Sequence, residues 1–285
     1  MKSHSEMLDG ILSELSLADE RGKHYFRELT PIVPSRKEVV SIIKNLQSLM
    51  FPEYFQLEEN NGLTRRQILD SVFYKLKRQI TAAFAFMGED MTKDTEALAY
   101  ELIGLIPVIK ERLVKDIQAI YEGDPAARSP EEVILSYPGF YAISIYRFAH
   151  EIYLRGIPYL ARLMTEFAHE KTGIDIHAGA SIGEYFCIDH GTGIVVGETA
   201  TIGDRVKLYQ GVTLGAKSFE LDENGNPIKG TKRHPDIGNG VVIYAGATIL
   251  GGRTKIGDGA VIGGNVWLTS SVAPNTTVIY GRDQK

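Results

Sequence analysis

The chain has 285 residues, enough for two domains and a sizeable core. Its 31 basic and 36 acidic side chains leave a formal charge of -5, which gives no electrostatic reason to bind nucleic acid. The single cysteine, Cys187, excludes an intrachain disulfide framework, no apolar run is long enough to span a membrane, and MKSHSEMLDG lacks the apolar centre of a signal peptide, so the expected setting is cytoplasmic.

Up to about residue 172 the apolar period is helical. Ser35-Arg36-Lys37-Glu38 before VVSIIKNLQSLM and Thr64-Arg65-Arg66-Gln67 before ILDSVFYKL read as capping boxes, in which a hydroxyl accepts from an orphan amide and the later side chain reaches back. Helical spacing then runs through Leu102, Ile103, Ile106, Ile109, Leu113 and Ile117. Ser129-Pro130-Glu131-Glu132 starts a further helix with Pro at its first position, and Ile143, Tyr146, Phe148, Ile152 and Tyr153 continue the pattern. Thr172-Gly173 marks the end of this period, giving a helical N-terminal domain over residues 1–172 and a second domain over 173–285.

From Ile176 a six-residue rhythm takes over. Aliphatic residues recur at Ile176, Ile182 and Ile188, after a two-residue slip at Val196, Ile202, Leu208 and Leu214, and after an interruption at Ile237, Ile243, Leu250, Ile256, Ile262 and Leu268. Gly often follows, with a small or β-branched residue four positions on, as in Ile202-Gly203 with Val206 and Ile256-Gly257 with Ala260. This is the hexapeptide signature of a parallel β-helix, in which about 18 residues make one triangular coil and the aliphatic side chains stack inward. Cys187 is expected to be one of the inward residues. The fold class is α+β, with an all-α N-terminal domain before the rod. The interruption, 216–235, has turn chemistry at Asn224-Gly225-Asn226-Pro227 and charged flanks, so it projects from the rod as an extended loop.

Three of the seven histidines, His177, His190 and His234, fall in the first coils or at the loop. His190 follows Asp189 in a run of small residues, and coil stacking brings Asp175 within reach as an orienting carboxylate; an aspartate on one ring nitrogen leaves the other free as a base. The segments DIHAGASIGEYFCIDHGTGIVVGETATIGDRVKLYQGVTLGA and RHPDIGNGVVIYAGATILGG, with Gly123-Asp124-Pro125-Ala126 and Gly139-Phe140-Tyr141-Ala142 upstream, resemble the serine O-acetyltransferases of cysteine biosynthesis, a branch of the hexapeptide acyltransferases.

The resemblance implies a left-handed parallel β-helix and transfer of an acetyl group from acetyl-CoA to L-serine, without a metal. His190 matches the family's catalytic base and Asp175 its orienting carboxylate. Asp124 and Asp189 match carboxylates at the ammonium and hydroxyl end of the amino acid, Arg233 and His234 the basic pair at its carboxylate, and Glu198 a supporting residue at the site edge. Ala216, Lys217 and Ala245 fall where the family lays the pantetheine arm of CoA. L-Cysteine as feedback inhibitor and a homotrimer or dimer of trimers are further implications. The chain ends at Tyr280-Gly281-Arg282-Asp283-Gln284-Lys285 without the family's terminal isoleucine, so a cysteine synthase complex is not expected by that route.

Three alternatives compete with this reading. Another hydroxylated amino acid such as homoserine differs by one methylene, worth only about 1–3 kcal/mol in an apolar pocket. A zinc enzyme like the γ-type carbonic anhydrases would use His177, His190 and His234. A non-catalytic scaffold leaves the cluster of charged residues unexplained.

Overall fold

The computed structural model describes residues 3–22, 32–88, 93–218 and 221–281. Among these, eight α-helices precede the rod: α1 (His4–Gly22), α2 (Arg36–Met50), α3 (Arg65–Met87), α4 (Thr95–Gly104), α5 (Ile106–Gly123), α6 (Pro130–Ser136), α7 (Pro138–Leu154) and α8 (Leu160–Thr172). Thr64 closes a complete capping box with Gln67. Ser35 makes only half of one: it accepts from Glu38 N, but Glu38 pairs with Arg78 and the Ser35 amide donates instead to Gln79 Oε1 at 2.7 Å. Ser129 caps α6 with Pro130 in its first turn. The run from Leu102 to Ile117 is two helices rather than one, parted at Leu105 just before Pro107, whose missing N–H and fixed φ suit a helix start. α1 stands apart, since none of its residues is buried although Leu8, Ile11, Leu12 and Leu15 are apolar.

Gly173 ends α8 in the left-handed region at φ 70°, and a left-handed parallel β-helix of about five turns begins at Asp175. Three parallel sheets form its faces. The first face stacks β1 (Asp175–Ile176), β4 (Val195–Val196), β7 (Thr213–Gly215), β10 (Thr248–Leu250) and β13 (Trp267–Leu268). The second stacks β2 (Ser181–Ile182), β5 (Thr201–Ile202), β8 (Asp236–Ile237) and β11 (Lys255–Ile256). The third stacks β3 (Cys187–Asp189), β6 (Lys207–Tyr209), β9 (Val242–Ile243), β12 (Val261–Ile262) and β14 (Thr277–Val278). The aliphatic positions of the rhythm are in register, so Ile176, Val196 and Leu214 form one inward column and Ile188, Leu208 and Ile243 another. Each such side chain taken from water contributes about 1.5–3 kcal/mol.

Two inward assignments change. Ile249, not Leu250, pairs with Leu214 and Leu268 and is fully buried, so the extra residue of that coil lies after the strand, where Gly251 turns the chain at φ 105°. Cys187 is buried but faces outward, because Ile188 takes the inward place; its Sγ would lie 3.3 Å from a Cβ on Gly123, so α5 covers it and burial pushes its thiol up to about 12. One corner of the triangle is a column of glycines, Gly183, Gly203, Gly238 and Gly257, where any Cβ would overlap the next coil. Beside it Asp204, Asn239 and Asp258 each accept a backbone amide of the preceding coil, at 2.7, 2.8 and 2.8 Å. Within the 216–235 loop, Leu221 bridges Pro227 in a small hairpin, with Asp222 Oδ1 accepting from the amides of Asn224 and Asn226. The C-terminal residues 282–285, on which the expectation about the cysteine synthase complex rests, lie outside the described residues.

Helix α7 fastens the helical region to the first coil. Tyr146 donates to Ala180 O, His150 Nδ1 lies 2.7 Å from Ala178 O, and Arg147 reaches Ile182 O at 2.7 Å and Gly183 O at 2.6 Å. The same guanidinium holds Asp116 of α5 through two bonds of 3.0 and 2.9 Å, and Asp116 also accepts from Phe186 N at 2.9 Å. Both side chains are essentially buried, so removing one partner strands a charge, a loss of about 3–5 kcal/mol.

Candidate active site

The corner between the third and first faces carries the residues around His190. The two-residue slip of the rhythm is this corner: Ile188 to Val196 spans eight residues, and the excess bulges out as His190-Gly191-Thr192-Gly193. His190 itself has φ 59°, uncommon for a non-glycine residue, and its side chain is 71% exposed. Asp189 ends β3 facing outward, its Oδ1 3.8 Å from His190 Nε2 and its Oδ2 2.9 Å from Lys207 Nζ. Asp124, at the end of α5, joins them. Its Oδ2 accepts from the Tyr137 hydroxyl at 2.6 Å and its Oδ1 from Ala126 N at 2.8 Å. Those two bonds, with help from Lys207 and His190, hold the Asp124 carboxyl below its usual range, and Tyr137 moves up to about 12 in return.

The corner between the first and second faces carries Glu198, Arg233 and His234. Glu198 pairs with Arg233 and accepts from the Tyr153 hydroxyl at 2.9 Å. Burial works against its charge, but the bonds from Arg233 and Tyr153 outweigh it and the carboxyl titrates below its usual range. Thr199 organises the other two residues. Its Oγ1 accepts from Arg233 N at 3.0 Å and His234 N at 3.1 Å, leaving its O–H for His234 Nδ1 at 2.9 Å, which also accepts from Thr199 N at 3.1 Å. With Nδ1 an acceptor, the ring proton is on Nε2. Burial and the neighbouring Arg233 push His234 down to about 4. His234 is thus a neutral donor, and only Arg233 of the expected basic pair carries charge. A Cβ on Gly197 would overlap the His234 ring, which gives the glycine of GETA its reason.

Within one chain the two corners do not meet, because β4 lies between them in sequence and in space. Asp175 stands on the first face in a group with Glu166 and His169, and among the described residues no hydrogen bond or ion pair joins it to His190. The donor positions are divided in the same way. Ala216 and Lys217 follow β7 at the second corner, where Lys217, Lys232, Arg233 and Arg253 line a cavity of about 390 Å³, whereas Ala245 precedes β10 at the first. Glu166, His169 and Asp175 have ligand atoms within 4.8 Å of one another, but Glu166 is already paired with Arg162. The three histidines weighed for zinc are not gathered in the chain: His177 stands with His234 at the second corner, its Nδ1 accepting from Gly179 N, and His190 stands at the first.

Sequence reasoning missed Tyr137, Lys207, Thr199 and Tyr153. All four are separated in sequence from the residues they hold; Lys207 and Thr199 lie inside the quoted rod segment, but nothing in its letters shows which distant side chain each one meets.

Residues 63–144 match the family model described as "Serine acetyltransferase, N-terminal". The "Serine acetyltransferase, plasmid" of Synechococcus elongatus is 45% identical over 93% of this chain and 88% of its own length. Among solved structures, isoform 3 of serine acetyltransferase from Entamoeba histolytica, in complex with cysteine, superposes with a TM-score of 0.72 at 37% identity, covering 86% of this chain and 82% of that one. Soybean serine acetyltransferase complexed with serine gives 0.57 at 30% identity, over 87% of this chain and 98% of that one. With a helical region and a repeat rod both matched along nearly their whole length, the chain belongs to the serine acetyltransferase family.

Proposed function

We propose that the chain moves the acetyl group of acetyl-CoA directly to the hydroxyl of L-serine, with His190 as general base. The observation that carries this is an exposed imidazole on a left-handed backbone, flanked by two outward carboxylates, Asp189 and Asp124. His190 takes the proton from serine Oγ as that oxygen attacks the thioester carbonyl. The C–S bond then breaks, and the proton passes from the imidazolium to the departing CoA sulfur, leaving O-acetylserine and free CoA. This balances without an acyl-enzyme, and Cys187 is too well covered to serve as one's nucleophile.

The acceptor is a zwitterion. Asp124 and Asp189 suit its ammonium, while Arg233, with the Nε2–H of His234, suits its carboxylate. Because these groups occupy different corners, the working site forms between neighbouring copies, the first corner of one rod facing the second corner of the next, as a ring of three closes. The exposed Val195 and Trp267 on the first face favour such packing. In that arrangement Asp175 orients His190, Glu198 steadies Arg233, and Ala216, Lys217 and Ala245 border one continuous groove for the pantetheine arm. Residues 1–172 supply Asp124 and are suited to join two such rings; residues 173–285 form the catalytic rod. Among the described residues no helix is long and apolar enough to cross a membrane, and the free Cys187 suits the reducing cytoplasm.

L-Cysteine offers the same ammonium and carboxylate with a thiol that ionises more easily than a hydroxyl, so it should compete with serine, more strongly as pH rises toward the thiol's range. The test is CoA release with serine and homoserine as acceptors, with cysteine as inhibitor, in the wild type and in His190→Ala. Serine turnover that is lost in the variant supports the proposal. Undiminished turnover overturns it, and non-competitive inhibition against serine would remove cysteine from this pocket.

A further inference from the structure

Lys207 is bonded to Asp189 and acts on the charge of Asp124, the two carboxylates beside the proposed base, and the reaction as written does not use it. It lies on the outward side of β6, one coil from Cys187, with its side chain only 15% exposed. Its ammonium donates to Asp189 Oδ2 at 2.9 Å and to Gly123 O at 2.7 Å, and stands 4.4 Å from the centroid of the Tyr209 ring. Tyr209 is itself fixed, stacked on Tyr244 at 5.0 Å between centroids and 9° between planes. One amine therefore ties the last turn of α5, next to Asp124, to the strand end next to His190.

We propose that Lys207 is a positioning residue that fixes Asp189 beside His190 and sets the pH range over which His190 works as a base. The inference rests on the proposed role of His190. The charged and titratable groups around this corner are Asp189 of β3 and Asp124 at the end of α5, which act on the imidazole directly, Tyr137 before α7, which bonds Asp124, and Lys207 and Tyr209 of β6 behind Asp189; Asp175 of β1 lies across the corner. Carboxylates without a balancing cation favour a proton on an imidazole beside them. The ammonium offsets one of them. It also anchors Oδ2 and leaves Oδ1, the oxygen nearer the ring, to meet imidazole and substrate ammonium. Burial works against the charge on Lys207, yet its bonds to Tyr209 and Asp189 prevail and keep it protonated through the neutral range.

The test is the pH dependence of kcat/KM for serine in the full-length protein. Lys207→Met removes both the charge and the bonds; Lys207→Gln keeps a donor and loses the charge; Lys207→Arg keeps the charge. In Met and Gln the acid limb should move up by about one pH unit, a roughly tenfold loss below it, while the plateau at high pH stays within about threefold of wild type. Arg should return the limb toward wild type. If only Gln folds, its limb decides. A limb that stays in place in Met and Gln overturns the proposal, as does an equal loss at every pH, which a merely structural role produces. His190→Ala run in parallel separates the two readings: if it stays active, the base assignment has failed; if it is inactive and the limb has not moved, only Lys207 has been misread.

Discussion

The two corners that flank the first face are built from similar residues but carry opposite chemistry. Each has an aspartate or glutamate, a histidine and a cation. At the first corner the cation, Lys207, is largely buried under α5 and holds a carboxylate while the histidine stands in solvent. At the second the histidine is turned inward, pinned by Thr199, and the cation, Arg233, is offered to the edge beside Glu198. Burial decides which group of each set is held and which is offered, so one imidazole is free to take a proton and the other is confined to donating one.

The comparison breaks most visibly at the exposed imidazole. His190→Ala should lower kcat by about two to four orders of magnitude with little change in the thermal midpoint, whereas His234→Gln should leave most of kcat and raise KM for serine. Comparable kcat losses in both would erase the distinction between the corners. Asp124→Ala and Arg233→Ala, one from each corner, should each raise KM for serine by roughly 10- to 100-fold, with the dissociation constant for CoA unchanged. Mixing His190→Ala and Arg233→Ala chains after partial unfolding and reassembly sharpens the point: random rings rebuild about a quarter of the sites from one intact corner of each chain. Recovery absent at every mixing ratio would mean that each chain holds a whole site.

Smaller effects follow from how His234 is seated. Gly197→Ala pushes a methyl into the ring and should cost about 1–3 kcal/mol of stability along with weaker serine binding; Gly104→Ala, where an added Cβ meets open space on an ordinary backbone, is the contrasting control. His234 titrates near 4 in the folded chain against its ordinary 6.5, so as pH falls the unfolded chain binds this proton first. Stability from this residue is complete above about pH 6.5 and is lost toward pH 4. Melting curves across that window should be flatter for His234→Gln than for wild type, and parallel curves would assign the proton elsewhere.

The rod was legible because a coil repeats its own steric demands: Ile202-Gly203-Val206 and Ile256-Gly257-Ala260 solve the same corner and therefore look alike. Phase was lost where a coil has an odd length. Whether the added residue falls before or after the strand depends on Gly251 taking a left-handed turn, which the letters around Ile249-Leu250 do not reveal. The outward face of Cys187 was lost for a related reason, since the third face is covered by α5 and buries both of its sides there. At the site, residue types and motifs could be read, but grouping could not. His190 and Arg233 both fall in or beside the quoted motifs, and only the triangular section of the rod assigns them to different edges. The neutral state of His234 was equally hidden, because it comes from burial beside Arg233, and its tautomer from a threonine hydroxyl 35 positions away.

The docking of α7 on the first coil bears on how long the rod can grow. β1, β2 and β3 are the terminal strands of their three sheets, and a bare terminal coil displays carbonyls that another rod end can pair with. Here the carbonyls of Ala178, Ala180, Ile182 and Gly183 are already taken by side chains of a helix, and the Phe186 amide by Asp116. The helical region therefore acts as a stopper, closing one end of an otherwise open-ended solenoid and keeping particles that associate side by side from threading end to end into filaments.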